Sequence, residues 1–210
     1  MPVVYLVQHA EKQRAPGDPA LTARGVAQAA RTARWLAGRG VRSLFSSPQR
    51  RAWQTAQVIG SALGLTVVPD PWLRERANWA GTDPFEAFLA DWQRSVEDRD
   101  YVPGGGDSSR QAGERMRAFV GGLQAGQRPV VAVTHGGATV DLLRTLLGDD
   151  QVPAGLLSDG VQPCAITTPD DLNVAGIASV AHLPPRRRRT EHSDIRPEFH
   201  CPASRARVSE

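Results

Sequence analysis

The chain is poor in several things at once. It has one lysine, Lys12, in 210 residues, two cysteines, and only 6% aromatic residues. No apolar run approaches the roughly 20 residues that span a bilayer, which argues against a membrane protein. Met1-Pro2-Val3-Val4-Tyr5 puts no basic segment ahead of a hydrophobic one, so no export signal is read there. Cys164 and Cys201 lack any partner at metal-ligand spacing and form no disulfide framework. A soluble, cytoplasmic protein with neither metal nor cofactor is expected.

Charge is uneven rather than abundant. Residues 186–210 hold seven arginines and four carboxylates, which accounts for the whole formal excess of +3 and leaves 1–185 neutral. The basic balance is therefore no sign of a nucleic-acid surface on the folded part. Beyond Pro184-Pro185 no periodicity survives, and 186–210 reads as a basic, disordered tail behind a domain covering 1–185.

Within that domain strands and helices alternate. Val3–Val7 is a short β-branched apolar run, as expected of a strand covered on both faces. Val26, Ala29, Ala30, Ala33, Leu36 and Ala37 recur at helical spacing behind Thr22, a natural N-cap. A strand over Val41–Phe45 leads to a helix that Pro48 would open in its first turn and Gly64 would close. Leu65–Val68 and Val130–Val133 read as further strands, Thr139–Leu147 as a helix, and 164–182 as a hairpin around Pro169-Asp170-Asp171. Residues 82–127 interrupt the rhythm with two helical stretches around a glycine run, and are expected to form a helical lid over one edge. The alternation predicts an α/β fold, a three-layer α/β/α sandwich on a mostly parallel central sheet.

In such sheets ligands bind beyond the carboxyl ends of the strands. Two of the three histidines in 1–185 fall there: His9 in Gln8-His9-Ala10, and His135 in Thr134-His135-Gly136-Gly137, whose glycines permit close backbone approach. Ser46-Ser47-Pro48-Gln49-Arg50-Arg51 starts a helix directly after a strand, bringing N–H groups and guanidinium forks to where an anion would sit. Glu75, in Leu73-Arg74-Glu75-Arg76, matters only if its loop returns to the strand ends. No closely spaced ligand pair suggests a metal, so a hydrolase built on His9, His135 and Asp141 is disfavoured.

These segments, taken with DPALTARG at 18–25 and SSPQRRAWQTA at 46–56, occur in an order that resembles the histidine phosphatase (phosphoglycerate mutase-like) superfamily over residues 3–183. The resemblance implies the phosphoglycerate mutase-like fold and a phosphomonoester hydrolase working through phosphohistidine. It makes His9 the nucleophile, Glu75 the proton donor and His135 a catalytic partner, with Gln8, Arg51 and Gly136 at the phosphate. The substrate would be a small phosphorylated metabolite or a phosphoprotein, with no membrane and no specific nucleic acid as partner. One departure stands out: Gln8 replaces the arginine of the family's Arg-His-Gly signature, exchanging a bidentate cation for a neutral amide. The alternatives are an impaired module that binds phospho-ligands without turnover, and a phosphomutase.

Overall fold

The computed structural model describes residues 3–170 and 173–184; the tail reading for 186–210 and the apex of the hairpin lie outside the described residues. Six strands form one sheet in the order β3-β2-β4-β1-β5-β6. β1 (Val4–Gln8), β2 (Ser43–Ser46), β3 (Val67–Pro69) and β4 (Val130–Thr134) run parallel. β5 (Ile166–Asp170) pairs antiparallel with both β1 and β6 (Asn173–Ser179).

Strand alternation divides the core. Val7, Leu44, Val131 and Val133 meet Ala33, Leu36, Ala52, Ala56 and Ile59 from α1 (Ala23–Leu36) and α2 (Arg50–Leu63) on one face. On the other, Val4, Leu6 and Ala132 meet Met116, Phe119 and Val120 of α4 (Ser109–Gly122), and Ala138 and Leu142 of α5 (Gly136–Leu147). This is the expected three-layer α/β arrangement with a mostly parallel sheet. Among the described residues no helix is long and apolar enough to cross a membrane.

Residues 82–127 divide between two environments. The apolar stripe of α4 enters the core, and its N-terminus carries a reciprocal capping box between Ser108 and Gln111. α3 (Phe85–Glu97) buries only Ser95. Its aromatic side chains form a ladder with the preceding loop, Trp79 to Phe85 to Phe88 to Trp92, at ring separations of 4.9, 6.2 and 6.1 Å.

Two helix starts differ from expectation. Thr22 caps α1 as its residue type predicts, accepting from Gly25 N at 2.9 Å. Pro48, however, precedes α2, whose first N–H, on Arg50, is taken by the Asp18 carboxylate at 2.9 and 2.7 Å. The N-terminus of α2 therefore already holds an anion, supplied by its own chain. α5 begins at Gly136, three residues before the expected start, because two glycines with low helix propensity lie where free N–H groups find an acceptor.

Candidate active site

His9 directly follows β1 and His135 directly follows β4, strands paired in parallel register with Gln8 opposite Thr134, so the two rings come within 5.2 Å centroid to centroid. Both are buried. His9 Nδ1 lies 2.8 Å from the Ala10 carbonyl oxygen, which can only accept, so Nδ1 carries the proton. Nε2 is left with a lone pair. Arg51 Nε, at 3.3 Å, and Gln8 Nε2, at 3.4 Å, both direct N–H groups toward it. Burial, reinforced by the Arg51 charge, holds the His9 imidazole down to a pKa of about 3, so the ring is neutral over the physiological range. His135 is depressed in the same direction by burial, then by Arg51 and His9. Its Nε2 lies 2.8 Å from the Ser47 hydroxyl, while Nδ1 has no hydrogen-bonding partner.

Arg51 sits in the first turn of α2, 4% exposed, with Nη1 3.6 Å from Asp18. Thr55, one turn on, accepts from Ala10 N and donates to the Arg51 carbonyl, which ties the strand end to the helix. The Gln8 amide is fixed by its donation to His9 and leaves Oε1 buried without a partner. Gly136 lies beside that amide: a Cβ there would stand 3.5 Å from Gln8 Nε2.

Glu75 does return to the strand ends. Its backbone N–H donates to Gln49, and its carboxylate accepts from Ala138 N (Oε1, 2.8 Å), Gly137 N (Oε2, 3.1 Å) and Arg76 N (Oε1, 2.9 Å). It thus occupies the N-terminus of α5, directly after His135. A Cβ at Gly137 would lie 2.6 Å from Glu75 Oε1 and 2.5 Å from the Trp92 ring, so any larger residue there must displace one of these side chains. The flanking arginines turn elsewhere: Arg74 pairs with Asp107, and Arg76 with Asp141.

All the candidate residues therefore share one neighbourhood: Gln8, His9, Arg51, Glu75, His135 and Gly136. Sequence reasoning passed over Ser47, Gln49 and Asp18, which fix His135, Glu75 and the start of α2. All three sit inside the quoted 18–25 and 46–56 segments, where contact with the histidines is the missing signal. It also passed over the buried pair Arg76–Asp141, whose members are 65 positions apart. Among the described residues no group of three or more His, Cys, Asp or Glu is arranged to hold a metal. Asp141 is engaged by Arg76 and Ser109, and burial, opposed by Arg76, raises its carboxyl to about 7. Behind the site, Cys164 N donates to the Gln8 carbonyl, and the buried Cys164 thiol is pushed up to about 12 by desolvation.

Known proteins share this architecture. A probable phosphoglycerate mutase GpmB of Yersinia enterocolitica is 35% identical over 163 residues, covering 69% of this chain and 74% of its own. Mycobacterial glucosyl-3-phosphoglycerate phosphatase, solved with inorganic phosphate, superposes with a TM-score of 0.69 at 26% identity, over 88% of this chain and all of that one. Bacillus stearothermophilus YhfR, at 21% identity and a TM-score of 0.68 over 86% and 98% of the two chains, shares the fold. The sequence profile of the histidine phosphatase superfamily (branch 1) matches residues 4–168, the stretch that carries both histidines, Arg51 and Glu75. The chain belongs to the histidine phosphatase superfamily.

Proposed function

We propose that the protein hydrolyses phosphomonoesters through a phosphohistidine on His9. The observation that carries this reading is the His9 tautomer. With Nδ1–H held by Ala10, Nε2 is the unprotonated nitrogen, facing the Arg51 and Gln8 N–H groups that a phosphoryl group would draw away, and the neutral ring persists well below pH 7. Nε2 attacks phosphorus, the ester P–O bond breaks, and the leaving oxygen takes a proton from Glu75. Water then attacks phosphorus, gives its proton to Glu75, and the P–N bond breaks to release phosphate. The Arg51 fork and the His135 ring face the charge that spreads over the transferring group. Glu75 Oε2, with one N–H at 3.1 Å, is the less saturated oxygen and the one suited to carry the proton.

Hydrolysis is favoured over mutase action by the surroundings. The helix beside Glu75 offers a ladder of aromatic rings, with Arg94 stacked over Tyr101, and the arginines around Glu75 are engaged by aspartates: Arg74 and Arg115 by Asp107, and Arg76 by Asp141. Water is the fitting acceptor, and the substrate a small phosphorylated metabolite or a phosphoprotein. Purified protein beside His9→Ala on a phosphoester panel tests the reading, with rapid quenching to trap an acid-labile phosphoenzyme. Equal background in both proteins, with phospho-ligand binding retained, would instead favour a module that binds without turnover.

A further inference from the structure

The mechanism leaves one buried charge pair unused. Arg76 Nη1 donates to Asp141 Oδ1 at 2.8 Å, with both side chains almost wholly excluded from solvent, and the Ser109 hydroxyl shares that oxygen at 2.7 Å. Taking two charges out of water is expensive, and apolar side chains of similar volume would hold a core at least as well. What distinguishes this pair is its position. Arg76 follows Glu75 and donates its backbone N–H to Glu75 Oε1. Asp141 lies on α5 one turn past Gly137 and Ala138, whose N–H groups hold the same carboxyl. Trp92 covers the guanidinium at 4.1 Å and also packs against Gly137.

We infer that Arg76 and Asp141 are positioning residues for Glu75: their ion pair clamps the Glu75 loop to the first turns of α5, so that the carboxyl meets the leaving oxygen. This rests on the proton-donor role proposed above. The clamp touches neither phosphate nor nucleophile, so in the first transfer, the part of the reaction that kcat/KM reads, its loss should slow only esters whose leaving oxygen needs a proton. Leaving-group chemistry reads that directly. 4-Nitrophenyl phosphate releases a stable anion, whereas benzyl phosphate, of similar size, releases an alkoxide that must be protonated.

The test compares kcat/KM on both esters for the wild type, Glu75→Gln, and an Arg76→Met/Asp141→Leu double variant that leaves no lone buried charge. Glu75→Gln should lose roughly 100-fold on benzyl phosphate, the scale of general acid catalysis, and far less on the nitrophenyl ester. The double variant should lose about tenfold on benzyl phosphate with the nitrophenyl rate nearly kept. Equal losses on both esters, or none, would overturn the inference while Glu75→Gln still splits them. If Glu75→Gln fails to split them, the proton-donor role falls and the clamp with it. Arg76→Lys, which keeps the charge but loses the planar stack on Trp92, carries the comparison if the double variant does not fold. It should show the same split at smaller size, and rates unchanged on both esters would count against the clamp.

Discussion

Arg51 Nε lies 3.3 Å from His9 Nε2, so the guanidinium expected to hold the phosphoryl oxygens is already hydrogen-bonded to the atom expected to attack. Lysine supplies the charge but not the planar fork. Arg51→Lys should therefore lower kcat/KM on phosphomonoesters by roughly ten- to a hundredfold, the equivalent of one charged hydrogen bond of about 1.5–3 kcal/mol. Steady-state kinetics beside the wild type checks this; an unaltered kcat/KM would remove Arg51 from the phosphate site.

Gln8 stands where the family resemblance leads one to expect an arginine. Its amide points at His9 Nε2 and leaves Oε1 buried and unpaired, a costly arrangement next to a polyanion. Gln8→Arg should raise kcat/KM by about ten- to a hundredfold if the fork reaches the transferring group. An equal or lower value would show that the pocket is shaped around the amide.

Gly137→Ala places a methyl group 2.6 Å from Glu75 Oε1 and 2.5 Å from Trp92. Overpacking of this kind costs about 1–3 kcal/mol, and the carboxylate is the part free to move. A drop in kcat/KM of about tenfold, with a larger loss on alkyl than on aryl phosphates, is the expected result. Gly136→Ala, whose contacts begin at 3.5 Å, should lose less.

Acid titration separates the buried histidines from ordinary ones. His9 is held near 3, below the usual 6.5, and His135 shifts the same way. Between those values the unfolded chain binds the proton and the folded chain does not, so stability falls as pH drops from 6.5 toward about 3. Melting temperature should fall over that window, and less steeply in His9→Gln. Imidazole nitrogen shifts of His9 should stay flat from about pH 5 to 8, where an exposed histidine titrates.

Strand positions were the most legible part of the fold, because β1 and β4 are buried on both faces and write themselves as apolar β-branched runs. Helix starts were less so. The start of α2 depends on Asp18, and that of α5 on Glu75, partners 32 and more than 60 residues distant. The histidines were readable from their strand ends alone. Glu75 was readable only through the family resemblance, since a carboxylate between two arginines looks like a surface ion pair. In the fold both arginines turn to aspartates elsewhere and leave it to backbone donors. The Arg76–Asp141 pair is carried by no local pattern at all.

Cys164, sealed beneath β1 with its thiol held protonated to about 12, gives electrophiles no thiolate to attack. Iodoacetamide or mild peroxide, which silence dephosphorylating enzymes that rely on sulfur, should find nothing to seize in this core. Turnover that persists through such treatment would need no thiol, under oxidative conditions in which cysteine-based counterparts fall quiet.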